Sequence, residues 1–115
     1  DTPLQALVTM NDPQYVEAAR QLGARMLQYP GNTERRLTFG FRLVTARLPS
    51  SFEKSVLTAT LKKFLGQYEQ NPEAAKKLVS VGESPVNEEL NPPELAAYTM
   101  VGSLLLNLDE TLNKN

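Results

Sequence analysis

One signal recurs along the chain and divides it into segments, a short polar side chain followed at once by proline: Thr2-Pro3, Asp12-Pro13, Asn71-Pro72 and Asn91-Pro92. The polar side chain accepts from the orphan N–H groups of a helix's first turn. Proline at the first helical position gives up an N–H that has no intrahelical partner anyway. A further start, Ser50 to Glu53, has the capping-box form, in which serine and glutamate each satisfy the other's free backbone donor. A chain opened as helix this often has little room for a sheet.

The residues after each start keep helical period. In Thr2 to Met10, Leu4, Leu7 and Val8 fall at i, i+3 and i+4, the face of a short helix that is marginal unless it docks. From Pro13 to about Gln28, Tyr15, Ala19, Leu22 and Met26 form a core stripe. Tyr29-Pro30-Gly31-Asn32 stops it, since proline disfavours the α conformation before it and glycine accepts positive φ. A helix from about Glu34 to Arg47 turns Leu37, Phe41, Val44 and Leu48 inward. The helix opened by the capping box runs to about Gln70 with Leu57, Leu61, Phe64 and Tyr68 as its stripe. Another, about Pro72 to Val81, buries Ala75, Leu78 and Val79 and ends at Gly82.

Gly82 to Asn91 lacks helical spacing and reads as a surface loop. The last helix, about Pro92 to Leu108, is apolar nearly all round and so belongs in the middle, with Gly102 and Ser103 allowing a neighbour's backbone close. No segment alternates with period two. The expectation is an all-α fold: a compact bundle of five to six helices, one domain over residues 1–115, with the C-terminal helix buried and a radius of gyration of roughly 13 Å.

Composition removes whole classes of chemistry. There is no histidine and no cysteine, which takes away the common zinc, copper, iron–sulfur and haem ligand sets and the Ser-His and Cys-His dyads. Met10, Met26 and Met100 lie on or beside apolar stripes and read as core filler. The 12 Lys plus Arg against 13 Asp plus Glu give a net charge of −1, unlike the excess of positive charge by which nucleic-acid binders displace counterions. No run approaches the roughly 20 apolar residues of a membrane span.

Glu83, Glu88, Glu89 and Glu94 crowd the loop without the Asp-x-Asp-x-Asp-Gly spacing of a calcium site and read as solvated acids. Arg20, Arg25, Arg35, Arg36, Arg42 and Arg47 read as a charged outer face paired with Glu17, Glu34 and Glu53. The six glycines are scattered singly, so no phosphate loop exists. No catalytic, cofactor-binding or metal-binding residue is assigned.

The opening DTPLQALVTMNDPQYVEAAR, the middle VGESPVNEELNPPELAAY and the closing LLLNLDETLNKN resemble the C-terminal part of a planctomycete-type domain of unknown function, found in large proteins with cytochrome-c-like segments. Asp1 stands where that family often has Asn, and Tyr98 where Trp is common. The resemblance implies an extracytoplasmic setting and an upstream portion of the same chain as partner, with haem in that upstream part; the lack of His and Cys leaves no cofactor expected in this chain. The start at Asp1, with neither methionine nor leader, agrees with a C-terminal fragment of a larger protein.

The expected role is a helical structural or interaction module of such a haem-associated protein, with Leu4, Gln5, Asn11 and Asp12 at the interdomain or ligand contact. The alternative is an accessory domain contributing to the active site of a polysaccharide-degrading enzyme, for which a cleft lined by Gln5, Asn11 and Asp12 would speak. A third reading is a free-standing small-ligand binder, which a deep apolar pocket inside the bundle would support.

Overall fold

Every cap signal within residues 12–113, the residues that the computed structural model describes, opens a helix. The side chain of Asp12 accepts from Gln14 N at 2.9 Å and starts α1 (Pro13–Gln28). Asn32 accepts from Arg35 N at 2.9 Å and starts α2 (Thr33–Thr45). At α3 (Ser51–Gln70) the capping box is complete: Glu53 N donates to Ser50 Oγ at 3.1 Å, and Ser50 N donates to the Glu53 carboxylate at 2.8 Å. Asn71 and Asn91 open α4 (Pro72–Val79) and α5 (Pro92–Asn113) through Ala74 N and Glu94 N. No strand occurs among the described residues, and the expected helix at Thr2 to Met10 lies outside them.

The ends differ from expectation more than the starts do. Ala46, in the left-handed conformation at φ 62°, closes α2 before Arg47. Leu48 therefore leaves the helical stripe and is 64 % exposed instead of buried. α4 stops at Val79 with Ser80 as its cap, short of Gly82. Gly82 at φ +93° instead turns the chain so tightly under α1 that an added Cβ would stand 2.6 Å from a Glu17 carboxylate oxygen. α5 runs past Leu108 to Asn113.

α5 is the axis of the bundle. Every residue from Leu95 to Leu105 is buried, and the helix packs against all four others, most extensively against α1. Met26, Phe41, Val101 and Leu105 are wholly enclosed. Tyr15 is only half-buried and sends its hydroxyl to Ser103 O at 3.1 Å; Val16 and Leu27 fill the core beside Ala19, Leu22 and Met26. The α1–α5 contact is backbone to backbone. A Cβ on Gly23 would lie 2.7 Å from Thr99 N, and one on Gly102 would lie 2.6 Å from Ala19 O. The radius of gyration is 13.0 Å, and no helix among the described residues is long and apolar enough to cross a membrane.

Arg20 corrects the reading of an all-outer arginine face. It is 4 % exposed, donating to Val79 O at 2.8 Å and to Ser84 O at 3.2 Å. Glu17 stands 3.7 Å away and accepts from Ser84 N, while Gln21 donates to Ser84 Oγ at 3.3 Å. The guanidinium thus closes the C-terminal end of α4, where carbonyls lack partners and the helix dipole favours a cation. The loop after α4 is accordingly strapped to α1, and Val86 and Leu90 pack against the core. Arg20→Met keeps most of the stem and loses both charge-assisted bonds, so stability should fall by about 1.5 to 3 kcal/mol. A denaturant midpoint that does not move would show that the strap contributes nothing.

Candidate interaction surface

α2 presents two stripes. Leu37, Gly40 and Phe41 face the core. Arg35, Thr38, Phe39, Arg42 and Leu43, at i, i+3, i+4, i+7 and i+8, share the other side. With Tyr29 these five line a groove of about 550 Å³ open to solvent. Tyr29 ends α1, and its ring stacks on Phe39 with centroids 4.2 Å apart and planes 12° from parallel. The Arg25 guanidinium lies 5.7 Å from the Phe39 centroid, within cation–π range. Arg36 Nε donates to Tyr29 O at 3.2 Å. Gly31 at φ +122° lets the Arg35 stem lie across it: a Cβ there would meet Arg35 Cδ at 2.7 Å.

Past the end of α2, the connection to α3 carries further exposed apolar side chains. Arg47 holds Glu53 with two bonds of 2.9 and 2.8 Å and sits 4.9 Å from the Phe41 ring centroid. Beyond it, Leu48 and Phe52 are 64 % and 75 % exposed. The Arg47 guanidinium, then the Ser50 N–H, hold the Glu53 carboxyl down at about 2 from an ordinary 4.5. A carboxyl depressed in the folded state stabilises the fold fully above its unfolded pKa, and that contribution is lost as pH falls through the folded value. The window here is pH 4.5 down to about 2. The stability gap between the native chain and Glu53→Gln should therefore close across that window. It should be small throughout, because Arg47 is 47 % exposed and solvent screens the pair. A gap independent of pH in melts from neutral to acid would contradict this account.

Of the residues expected at an interdomain or ligand contact, Leu4, Gln5 and Asn11 lie outside the described residues, and Asp12 is the exposed cap of α1. The sequence pairings hold for Arg47 with Glu53 and, more loosely, for Arg20 with Glu17. Arg25, Arg35, Arg36 and Arg42 have no carboxylate in ion-pair reach among the described residues, and neither has Glu34. No group of three or more Asp and Glu able to hold a metal ion occurs among the described residues. The clefts flanking the strapped loop, about 510 and 110 Å³, both reach Leu95 but open to solvent.

Sequence reasoning missed the burial of Arg20, though the signal was present, since Val16, Arg20, Gly23 and Leu27 recur at i, i+4, i+7 and i+11 along α1. It also missed the Tyr29–Phe39 stack, which depends on how the turn between α1 and α2 folds back and has no marker in spacing.

These features define a class, a helical bundle with a buried central helix and one outer helix whose exposed face is aromatic, aliphatic and cationic. The chain belongs to the family described as PSD1, Protein of unknown function (DUF1553), which matches residues 1–61. The match takes in α1, α2 and the first half of α3, and with them the whole groove. No curated protein and no solved structure matches the chain.

Proposed function

We propose that this chain is a helical interaction module of a larger extracytoplasmic protein, docking through the outer face of α2 and the α2–α3 connection. One observation carries the reading: the exposed large hydrophobic side chains among the described residues, Tyr29, Leu43, Leu48 and Phe52, lie on α2, at the end of α1 just before it, in the α2–α3 connection and in the first turn of α3. A clustered apolar patch is the usual mark of a partner surface. Covering Leu48 and Phe52 would return about 1.5 to 3 kcal/mol for each side chain fully buried.

The partner in this proposal is the upstream portion of the same protein, with Leu4, Gln5, Asn11 and Asp12 at the same junction. The resemblance to cytochrome-associated planctomycete proteins supports that setting and haem in the upstream part. This chain has no imidazole or thiolate to ligate haem, and among the described residues Met26 and Met100 are packed in the core. The test is hydrogen exchange over residues 43–56 in this chain alone and in the longer protein. Slower exchange in the longer protein is expected; identical rates would remove the docking reading.

A further inference from the structure

We propose that the groove on α2 binds an acidic protein segment that carries a large apolar side chain. The proposal rests on the docking reading above and names the chemistry of the partner. Arg25, Arg35, Arg36 and Arg42 gather at this corner without a carboxylate partner among the described residues. Glu34 is the sole acid on α2, so a chain of net charge −1 carries a concentrated positive field here. A guanidinium fork matches a carboxylate bidentately and is weakly hydrated, which suits it to pairing at a protein interface.

Arg35 and Arg42 are two turns apart on one face, about 10 Å along the axis. That is the separation of acids two turns apart on a helix or three apart in an extended strand. Phe39 between them and Leu43 just past Arg42 line the groove with apolar surface. The site is ordered before binding: the Arg35 stem rests on Gly31, Arg36 is tied to Tyr29 O, and Phe39 is stacked on Tyr29. Less conformational entropy is therefore lost on docking. The same stack leaves single-stranded nucleic acid, which binds on free aromatic faces, little more in this groove than the outer face of Tyr29. Here one Phe39 face is occupied by Tyr29 and the Arg25 guanidinium lies near the ring, while Leu43, 43 % exposed, suits an aliphatic or aromatic side chain.

The test uses three labelled probes, read by fluorescence anisotropy against the whole chain: a short peptide of aspartates and glutamates around one leucine and one phenylalanine, the same peptide with every acid replaced by lysine, and single-stranded oligothymidine. The acidic peptide should bind, weaken with salt, and lose at least about tenfold in affinity when Arg35→Glu and Arg42→Glu are combined. Both side chains are exposed and unpaired, so the variant's unfolding midpoint should stay at the native value and exclude misfolding as the cause. Equal binding of the lysine peptide, unchanged affinity in the double variant, or preference for oligothymidine would each overturn the proposal. No peptide binding, with residues 43–56 still protected in the longer protein, would remove the acidic partner and leave docking standing; absence of both effects would remove both readings.

Discussion

Leu105→Ala should lower the unfolding free energy by about 2 to 5 kcal/mol, the range for truncating a fully enclosed leucine. Leu105 has no exposed surface and lies on the helix that every other helix touches, beside the point where Met26 of α1 packs on Gly40 of α2. On α5 the residues from Leu95 to Leu104 are all buried, and side chains locked in a packed core relax only partly around a truncation. The cavity persists and adds to the lost transfer energy. Urea unfolding should show a lower midpoint at unchanged slope. The exposed Leu43→Ala should stay within about 0.5 kcal/mol of the native chain. Comparable shifts for the two would mean that α5 is not the centre of the core.

Gly23→Val should cost about 3 kcal/mol or more, at the upper end of overpacking. The atoms that its Cβ would strike are the backbone of α5, Thr99 N at 2.7 Å and Tyr98 C at 2.8 Å, and a backbone cannot rotate aside as a side chain can. α1 and α5 must separate, opening the largest helix–helix contact in the bundle. Gly66 supplies the contrast. No atom lies within 4 Å of a Cβ placed there, so Gly66→Ala should stabilise by about 0.5 to 1 kcal/mol through helix propensity alone. Thermal melts of the two variants should move in opposite directions. A Gly23→Val chain melting with the native one would show that the two helices do not approach as closely as described.

How far the sequence foretells this molecule depends on whether a feature is local. Helix starts were legible because a cap acts within its own four residues: Asp12, Ser50, Asn71 and Asn91 each do what their neighbours imply. The placing of α5 was legible because an all-round apolar helix has no solvent face to offer. Helix ends were less so. Ala46 adopts the left-handed conformation with nothing in its residue type to announce it, and that one residue releases Leu48 to solvent. The role of Arg20 depends on carbonyls at Val79 and Ser84, distant in sequence, which no periodicity reaches. For the candidate surface, the supply of arginines was visible, but which of them would find acids was not. Arg47 meets Glu53 because the turn at Ala46 brings them together, whereas Arg35 and Arg42 point along a helix face that carries no acid.

The position of α5 also fixes the order in which the chain can come to rest during its synthesis. α1 leaves the ribosome well before the helix that covers its apolar stripe, and at typical elongation rates the interval is on the order of ten seconds. Through that time, of the described helices, α2 and later α4 stand beside Val16, Leu22, Met26 and Leu27. The family match ends at residue 61, inside α3, but no folding unit can end there. A fragment stopping at that point would retain the greasy side of α1 without its cover, and should appear in cells as a substrate for chaperones and proteases.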